Sequence, residues 1–354
     1  MYFSAPYGKL VEMRLQSLFC ALAALFGLLA GCDKGPGQFP EQAPPPLAEL
    51  RLGYFANVTH AQAVLGVASG EFQAALGQTK LTTKVFNAGP ELITALNAGA
   101  IDIGYVGPGP VLSADVNSRG QAVRVIAGSA ANGVVIVASR ESGIRRLSDL
   151  KDKRIATPQL GNTQDVSARH FVIDVLGQPN ADNVKEVRNS QQSGMMARGF
   201  IDAAWVPEPW GSRLINETGA VLIGEEKDLW PDQIFSLTVI ITTPRFLADH
   251  PDAIEKFLAV HHQWTLRLAA NSDQYADQLN SALVALGGKR LPTAVMRDSL
   301  RRTVFTDDPL PKTFGVMEQW SHQLKFINSA PVLDGLFETY LITKLTSEPA
   351  TSQP

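Results

Sequence analysis

The chain has 354 residues, 45% of them hydrophobic and 18% charged, with a formal charge of −3. A balance this close to neutral, with no basic stripe, argues against nucleic acid as a partner. The length suits two cores rather than one, and with only Cys20 and Cys32 present, packing rather than disulfides must hold them.

Residues 1–31 read as a targeting segment. Arg14 precedes an apolar run from Leu18 to Ala30, shorter than the ~20 residues a membrane span needs, and small residues close it. Met13 is a more natural start than Met1, because residues 1–12 add a polar prefix carrying Glu12. Leu29-Ala30-Gly31-Cys32 resembles the lipobox of bacterial lipoproteins, which implies cleavage before Cys32 and a lipid on its thiol. Asp33 resembles the inner-membrane retention signal of enteric bacteria. The expected location is therefore the periplasmic face of the inner membrane, or the cell surface in a Gram-positive host. An ordinary secretory signal with an incidental cysteine is the plainer alternative. Residues 32–49 are rich in Pro and Gly and read as an extended tether.

Leu50 to Tyr54 reads as a first strand, Ala61 to Leu76 as a helix and Leu81 to Phe86 as a second strand. Glu91 to Asn97 follows as a helix and Ile101 to Val106 as a third strand. Val123–Ala127 and Val134–Ala138 have the apolar make-up of buried strands. After a turn at Ser148-Asp149-Leu150, a second set opens with Arg154 and Ile155-Ala156-Thr157 and closes near Leu237–Ile241. Pro244 and Pro251 bracket helix starts, Ala253 to Ala270 is a long amphipathic helix, and the rest to about Leu345 is mostly helical. Residues 346–354 are expected to be a disordered tail. Alternating strands and helices predict an α/β fold with mainly parallel sheets and ligand loops at the strand C-termini.

The chain also repeats itself. Gly99-Ala100-Ile101-Asp102-Ile103-Gly104-Tyr105-Val106 is echoed by Gly199-Phe200-Ile201-Asp202-Ala203-Ala204-Trp205-Val206, and each copy runs into a Pro-rich loop. Arg51-Leu52-Gly53-Tyr54 and Arg154-Ile155-Ala156-Thr157 open matching strand, loop and helix units. Two similar lobes are expected across a cleft: residues 50–138 with 243–345, and residues 139–242. The two crossings, near Ser139–Arg140 and Thr242–Thr243, would form a two-strand hinge.

Six loops should border the cleft: Tyr54–His60, Phe86–Pro90, Gly107–Pro110, Gly128–Gly133, Thr157–Asp165 and Val206–Trp210. None holds Lys or Arg. Thr157-Pro158-Gln159-Leu160-Gly161-Asn162-Thr163-Gln164-Asp165 is the strongest, because Asn162 and Thr163 suit an N-cap and a helix N-terminus offers free N–H groups to an anion. Plain capping would explain Asn162 or Thr163 alone. Such neutral donors suit a monoanion, a zwitterion or a neutral polar molecule. Glu208 would favour a ligand amine if it lined the cleft; solvent or hinge backbone are its other possible partners. Four aromatics beside the loops, Tyr54, Phe55, Trp205 and Trp210, suit an organic tail. The chain has no Gly-x-x-x-x-Gly-Lys-Ser/Thr, and the prolines of Gly107–Pro110 remove N–H groups a phosphate cradle needs. His261-His262 lacks metal-ligand spacing, and one of the two imidazoles is expected to face solvent. No Ser, His and acid fall together in the loops. No catalysis, metal or cofactor is expected.

Gly53–Ala61, Phe86–Pro90, Gly104–Pro108, Ala156–Asp165 and Trp205–Trp210 together resemble substrate-binding proteins of bacterial ABC importers, of the nitrate/sulfonate/taurine type. That group also includes binders of thiamine-pyrimidine precursors. The resemblance covers about Leu50 to Ala270 and implies a type II periplasmic-binding fold. It implies a monomer delivering a small organic anion, sulfonate or taurine-like, to an ABC permease with its cytoplasmic ATPase. Nitrate, bicarbonate, a thiamine-pyrimidine precursor, or an enzyme on the same fold are the alternatives. The residues expected to meet the ligand are Tyr54, Asn57, Thr59, His60, Asn87, Gly89, Gly107, Pro108, Ser129, Asn132, Thr157, Asn162, Thr163, Gln164, Trp205, Glu208 and Trp210.

Overall fold

The computed structural model describes residues 47–331 and 333–347. The leader, Cys32 and most of the tether lie outside the described residues. The chain opens with β1 (Glu49–Phe55), α1 (Ala61–Ala68), α2 (Glu71–Leu76), β2 (Lys80–Phe86), α3 (Gly89–Asn97), β3 (Ile103–Val106), α4 (Pro108–Ser118) and β4 (Arg124–Asn132). A second set follows: β5 (Val134–Ala138), β6 (Ile155–Thr157), α5 (Thr163–His170), β7 (Val184–Glu186), α6 (Asn189–Ala197), β8 (Ala203–Pro207), α7 (Trp210–Thr218) and β9 (Val221–Glu225). The last part holds β10 (Ser236–Thr242), α8 (Pro244–Asp249), α9 (Pro251–Asn271), α10 (Ala276–Ala285), α11 (Thr293–Arg301), β11 (Thr303–Phe305), α12 (Pro311–Gln323) and α13 (Tyr340–Ser347).

Two sheets result, one per lobe, with strand orders β11-β4-β10-β3-β1-β2 and β7-β6-β8-β5-β9. Both are mixed rather than mainly parallel. β1 runs parallel to β2 and β3, but β10 is antiparallel to β3 and β4. In the second sheet β6 is parallel to β7 and β8, while β5 is antiparallel to β8 and β9.

Sheet membership moves both crossings. Val134–Ala138 pairs in the second sheet and Ser236–Thr242 in the first, so the chain crosses at Gly133 and again between Glu225 and Ser236. Both strands are fully buried and rich in β-branched residues, and such composition does not say which sheet a strand joins. Gly133, at φ +76°, turns the backbone between the sheets in a region L-residues avoid. The termini differ too. The Lys80 N–H donates to Ala48 O at 2.9 Å, so the end of the expected tether is part of the sheet. Likewise α13 runs to Ser347, past the expected start of the tail. The expected helix Ala61–Leu76 is two helices, broken at Gly70.

Alternation along β1 puts Leu50, Leu52 and Tyr54 into one core, which α9 completes with Ile254, Phe257, Leu258, Trp264 and Leu268. That spacing is the stripe of an amphipathic helix. Phe55 belongs to the opposite face, and it is this face that reaches the cleft.

Candidate functional site

Loops from both lobes converge on a cavity of about 20 Å³, little more than one water requires. Of the expected residues, Asn57, Thr59, His60, Asn87, Gly107, Asn162, Thr163 and Gln164 line it. Phe55, Pro158, Asn189, Pro207, Leu237 and Thr238 line it as well and were not among the expected residues. No Lys, Arg, Asp or Glu side chain is among the described lining residues.

The lobes are closed on this space. The Gly109 N–H donates to Thr163 Oγ1 at 3.2 Å, the Gly89 N–H to Asn162 Oδ1 at 3.4 Å, and Trp210 Nε1 to Asn57 Oδ1 at 2.7 Å. Gly107 permits the approach, since a Cβ there would stand 2.4 Å from Thr163 Oγ1. Asn162 begins α5 without a side-chain cap; its Nδ2 donates to Gln164 Oε1 at 2.6 Å. The N–H groups of Thr163 and Gln164, at the positive end of α5, have no acceptor among the described residues.

His60 is buried beside Phe55, with ring centroids 4.4 Å apart, and its Nδ1 accepts the Phe55 N–H at 3.4 Å. Burial pushes its imidazole down to about 3, so it is neutral and carries its proton on Nε2. Thr238 is 1% exposed, and its Oγ1 is buried with no hydrogen-bond partner.

Asp165 is committed to bracing the loop. It accepts from Thr157 Oγ1 at 2.8 Å, the Gly161 N–H at 3.0 Å and Arg169 Nε at 2.9 Å. Glu208 does not line the cavity either. It is fully buried and accepts from Ser212 Oγ, Ser299 Oγ and Arg302 Nη1, the last at 2.9 Å. Burial raises its carboxyl above the usual range, against the pull of Arg302. Its N–H donates to Gly133 O at 2.8 Å and its carbonyl accepts the Val58 N–H at 3.1 Å. These are hinge contacts, so Glu208 ties the lobes together instead of meeting a ligand amine.

The other expected residues are also placed elsewhere. Tyr54 faces the core behind β1, and Trp205 is buried with its Nε1 donating to Glu226 Oε2 at 2.6 Å. Trp210 is held by Asn57, so of the four aromatics only Phe55 lines the cavity. Ser129 donates to Gln62 Oε1 at 3.1 Å, and Asn132 accepts the Phe235 N–H at 3.2 Å between the two crossings. Gly89 and Pro108 stand at helix starts beside the cavity. His261 is fully buried against Tyr105, with a 2.9 Å hydrogen bond, and His262 Nδ1 lies 2.5 Å from Asp307 Oδ2. Neither imidazole is simply solvent-facing.

Residues 43–280 match the NMT1-like family. The chain belongs to that family. An NMT1-like chain of this kind is 28% identical over 239 residues to a Brucella abortus protein named only as a binding protein, covering 64% of this chain and 69% of the relative. It is 25% identical over 295 residues to a Bacillus subtilis protein named for aliphatic sulfonate binding, covering 81% and 84%. The solved alkanesulfonate-binding protein SsuA of Xanthomonas axonopodis pv. citri superimposes with a TM-score of 0.67 at 22% identity, covering 82% of this chain and 98% of that one. The fold is thus the two-lobe α/β fold of periplasmic binding proteins. Among the described residues no helix is long and apolar enough to cross a membrane.

Proposed function

We propose that this NMT1-like protein captures a small, singly charged organic anion between its lobes, an aliphatic sulfonate first, and presents the closed form to an ABC permease. The observation that carries this is the charge-free cavity at the N-terminus of α5, closed by both lobes and lined with neutral donors; at about 20 Å³ it must widen to admit a sulfonate. A hydrogen bond to a charged group is worth ~1.5–3 kcal/mol, and a helix N-terminus adds ~0.3–1. A few such donors offset the desolvation of one diffuse charge; a dianion asks for more. The names of the Bacillus and Xanthomonas proteins support the same ligand class.

Closure is the mechanism. The ligand bridges the donors of α5 and those of the first lobe, and its affinity for that arrangement shifts the population toward the closed state. A lipid on Cys32 would hold the protein at the membrane beside its permease. Binding rather than catalysis fits the site, because Asp165 and Glu208 are occupied, Glu91 accepts the Asn87 N–H, and His60 spends Nδ1 on the backbone. The tightness of the cavity favours a second reading, a bare inorganic monoanion such as nitrate or bicarbonate. A thermal-shift screen against short alkanesulfonates, taurine, nitrate, bicarbonate and pyrimidines tests both. A rise in melting temperature with alkanesulfonates is expected; a rise with pyrimidines alone would reject the anion reading.

A further inference from the structure

The side chains around the cavity are unevenly used. Most side-chain acceptors already receive a hydrogen bond: Asn57 Oδ1 from Trp210, Asn162 Oδ1 from the Gly89 N–H, Gln164 Oε1 from Asn162, Asn189 Oδ1 from Gln192, and His60 Nδ1 from the Phe55 N–H. Among the described lining amides only Asn87 has a side-chain carbonyl without a hydrogen bond, and the others keep one lone pair each. The donors remain available, including Asn57 Nδ2, Gln164 Nε2, His60 Nε2 and the N–H groups of Thr163 and Gln164. With Asp165 and Glu208 both satisfied elsewhere, the cavity presents hydrogens and asks for acceptors.

Thr238 is the sharpest case. Leu237, Val239 and Ile241 share one core and Ile240 the other, so Thr238 stands on the opposite face from Leu237, and both border the cavity at the start of β10. The pairing of β10 with β4 slips on either side of Thr238, so the ladder is locally disrupted there. The Thr238 hydroxyl is buried and has no partner. An unmet hydroxyl in a protein interior is a cost unless something else meets it.

Resting on the anion-binding reading above, we infer that Thr238 is a specificity-determining contact: its hydroxyl, with His60 Nε2, donates to an acceptor of the ligand, and the site takes acidic ligands that carry no amine. An ammonium group entering the cavity would lose its water and meet donors, with one unbonded amide carbonyl and the remaining amide and hydroxyl lone pairs to receive its three hydrogens.

Isothermal titration of the full chain with ethanesulfonate and with taurine tests this, alongside thermal melts of the ligand-free Thr238→Val and Thr238→Ser variants. Wild type should bind ethanesulfonate about tenfold more tightly than taurine. Thr238→Val should weaken ethanesulfonate about tenfold while leaving the ligand-free melting temperature equal or higher, because the lost hydroxyl had no partner. Thr238→Ser should restore most of the affinity. Taurine binding as tightly as ethanesulfonate, or ethanesulfonate binding unchanged by Thr238→Val, overturns the inference alone. If neither sulfonate binds wild type, the sulfonate reading fails and the inference falls with it.

Discussion

The two copies of the Gly-x-Ile-Asp motif are built alike at their bases and differently at their tips. In the first lobe the Arg51 N–H and Nε both donate to Asp102 Oδ2 at 2.8 Å; in the second the Arg154 N–H and Nε donate to Asp202 Oδ2 at 2.8 and 2.9 Å. Gly99 and Gly199 close the preceding helices with the same 2.9 Å bond, to Leu96 O and Met196 O. Tyr105 and Trp205 each tie a buried polar atom, to His261 and Glu226. Beyond Val106 and Val206 the likeness ends. Gly107 leads into α4 and lets the second lobe come close, whereas Pro207 and Glu208 lead into an inter-lobe ion pair with Arg302. Repetition in the sequence marks the scaffold, and the work of the cleft begins where the repetition stops.

The largest expected effect breaks the tip that only the second lobe has. Arg302→Leu leaves Glu208 buried without its cation and should cost about 3–5 kcal/mol in urea unfolding. Adding Glu208→Gln to that variant should recover much of the loss. A cost below about 1 kcal/mol would mean that Glu208 is neutral in the folded protein and needs no partner.

The aromatic anchors come next. Glu226 accepts from Ser167 Oγ, Trp205 Nε1 and Trp230 Nε1, with no cation bonded to it among the described residues, and burial raises it to about 7. A raised carboxyl favours the protonated folded state. Its contribution is full below the ordinary glutamate value and is lost as pH rises through about 7. Stability should therefore fall by roughly 3 kcal/mol across that window, and Glu226→Gln should flatten the fall. His60 acts in the opposite sense: its contribution is present above its ordinary value and lost as pH drops toward about 3. An identical pH profile for Glu226→Gln and wild type would remove Glu226 as the source.

The smallest effect sharpens the likeness at the bases. Asp102→Asn and Asp202→Asn should each cost about 1–2 kcal/mol, since both arginines are partly exposed and solvent screens the pairs. The two costs should agree within about 0.5 kcal/mol. A large inequality would show that the matching geometry carries unequal weight.

Much of the fold was legible because Gly, Ile, Asp and an aromatic recur in register, and the polar loops without Lys or Arg located the cleft. The errors have physical sources. Period-two alternation separates Tyr54 from Phe55, so the tyrosine faces a core while the phenylalanine lines the cavity. Leu237 and Thr238 were missed because β10 runs antiparallel, which brings its first residues rather than its last to the cleft, and a slip in pairing cannot be read from composition. Glu208 looked available because its partners, Ser299 and Arg302, lie some ninety residues further along the chain. The hinge was misplaced because Val134–Ala138 and Leu237–Ile241 are equally apolar, whichever sheet they join.

In the function proposed above, ligand binds at the N-terminus of α5 between the closed lobes. Isothermal titration of ethanesulfonate into wild type and into an Asn162→Ala, Thr163→Ala double variant tests it most directly. The account predicts at least about a tenfold loss of affinity in the double variant with the fold retained by circular dichroism; equal affinities would contradict it and place the ligand elsewhere.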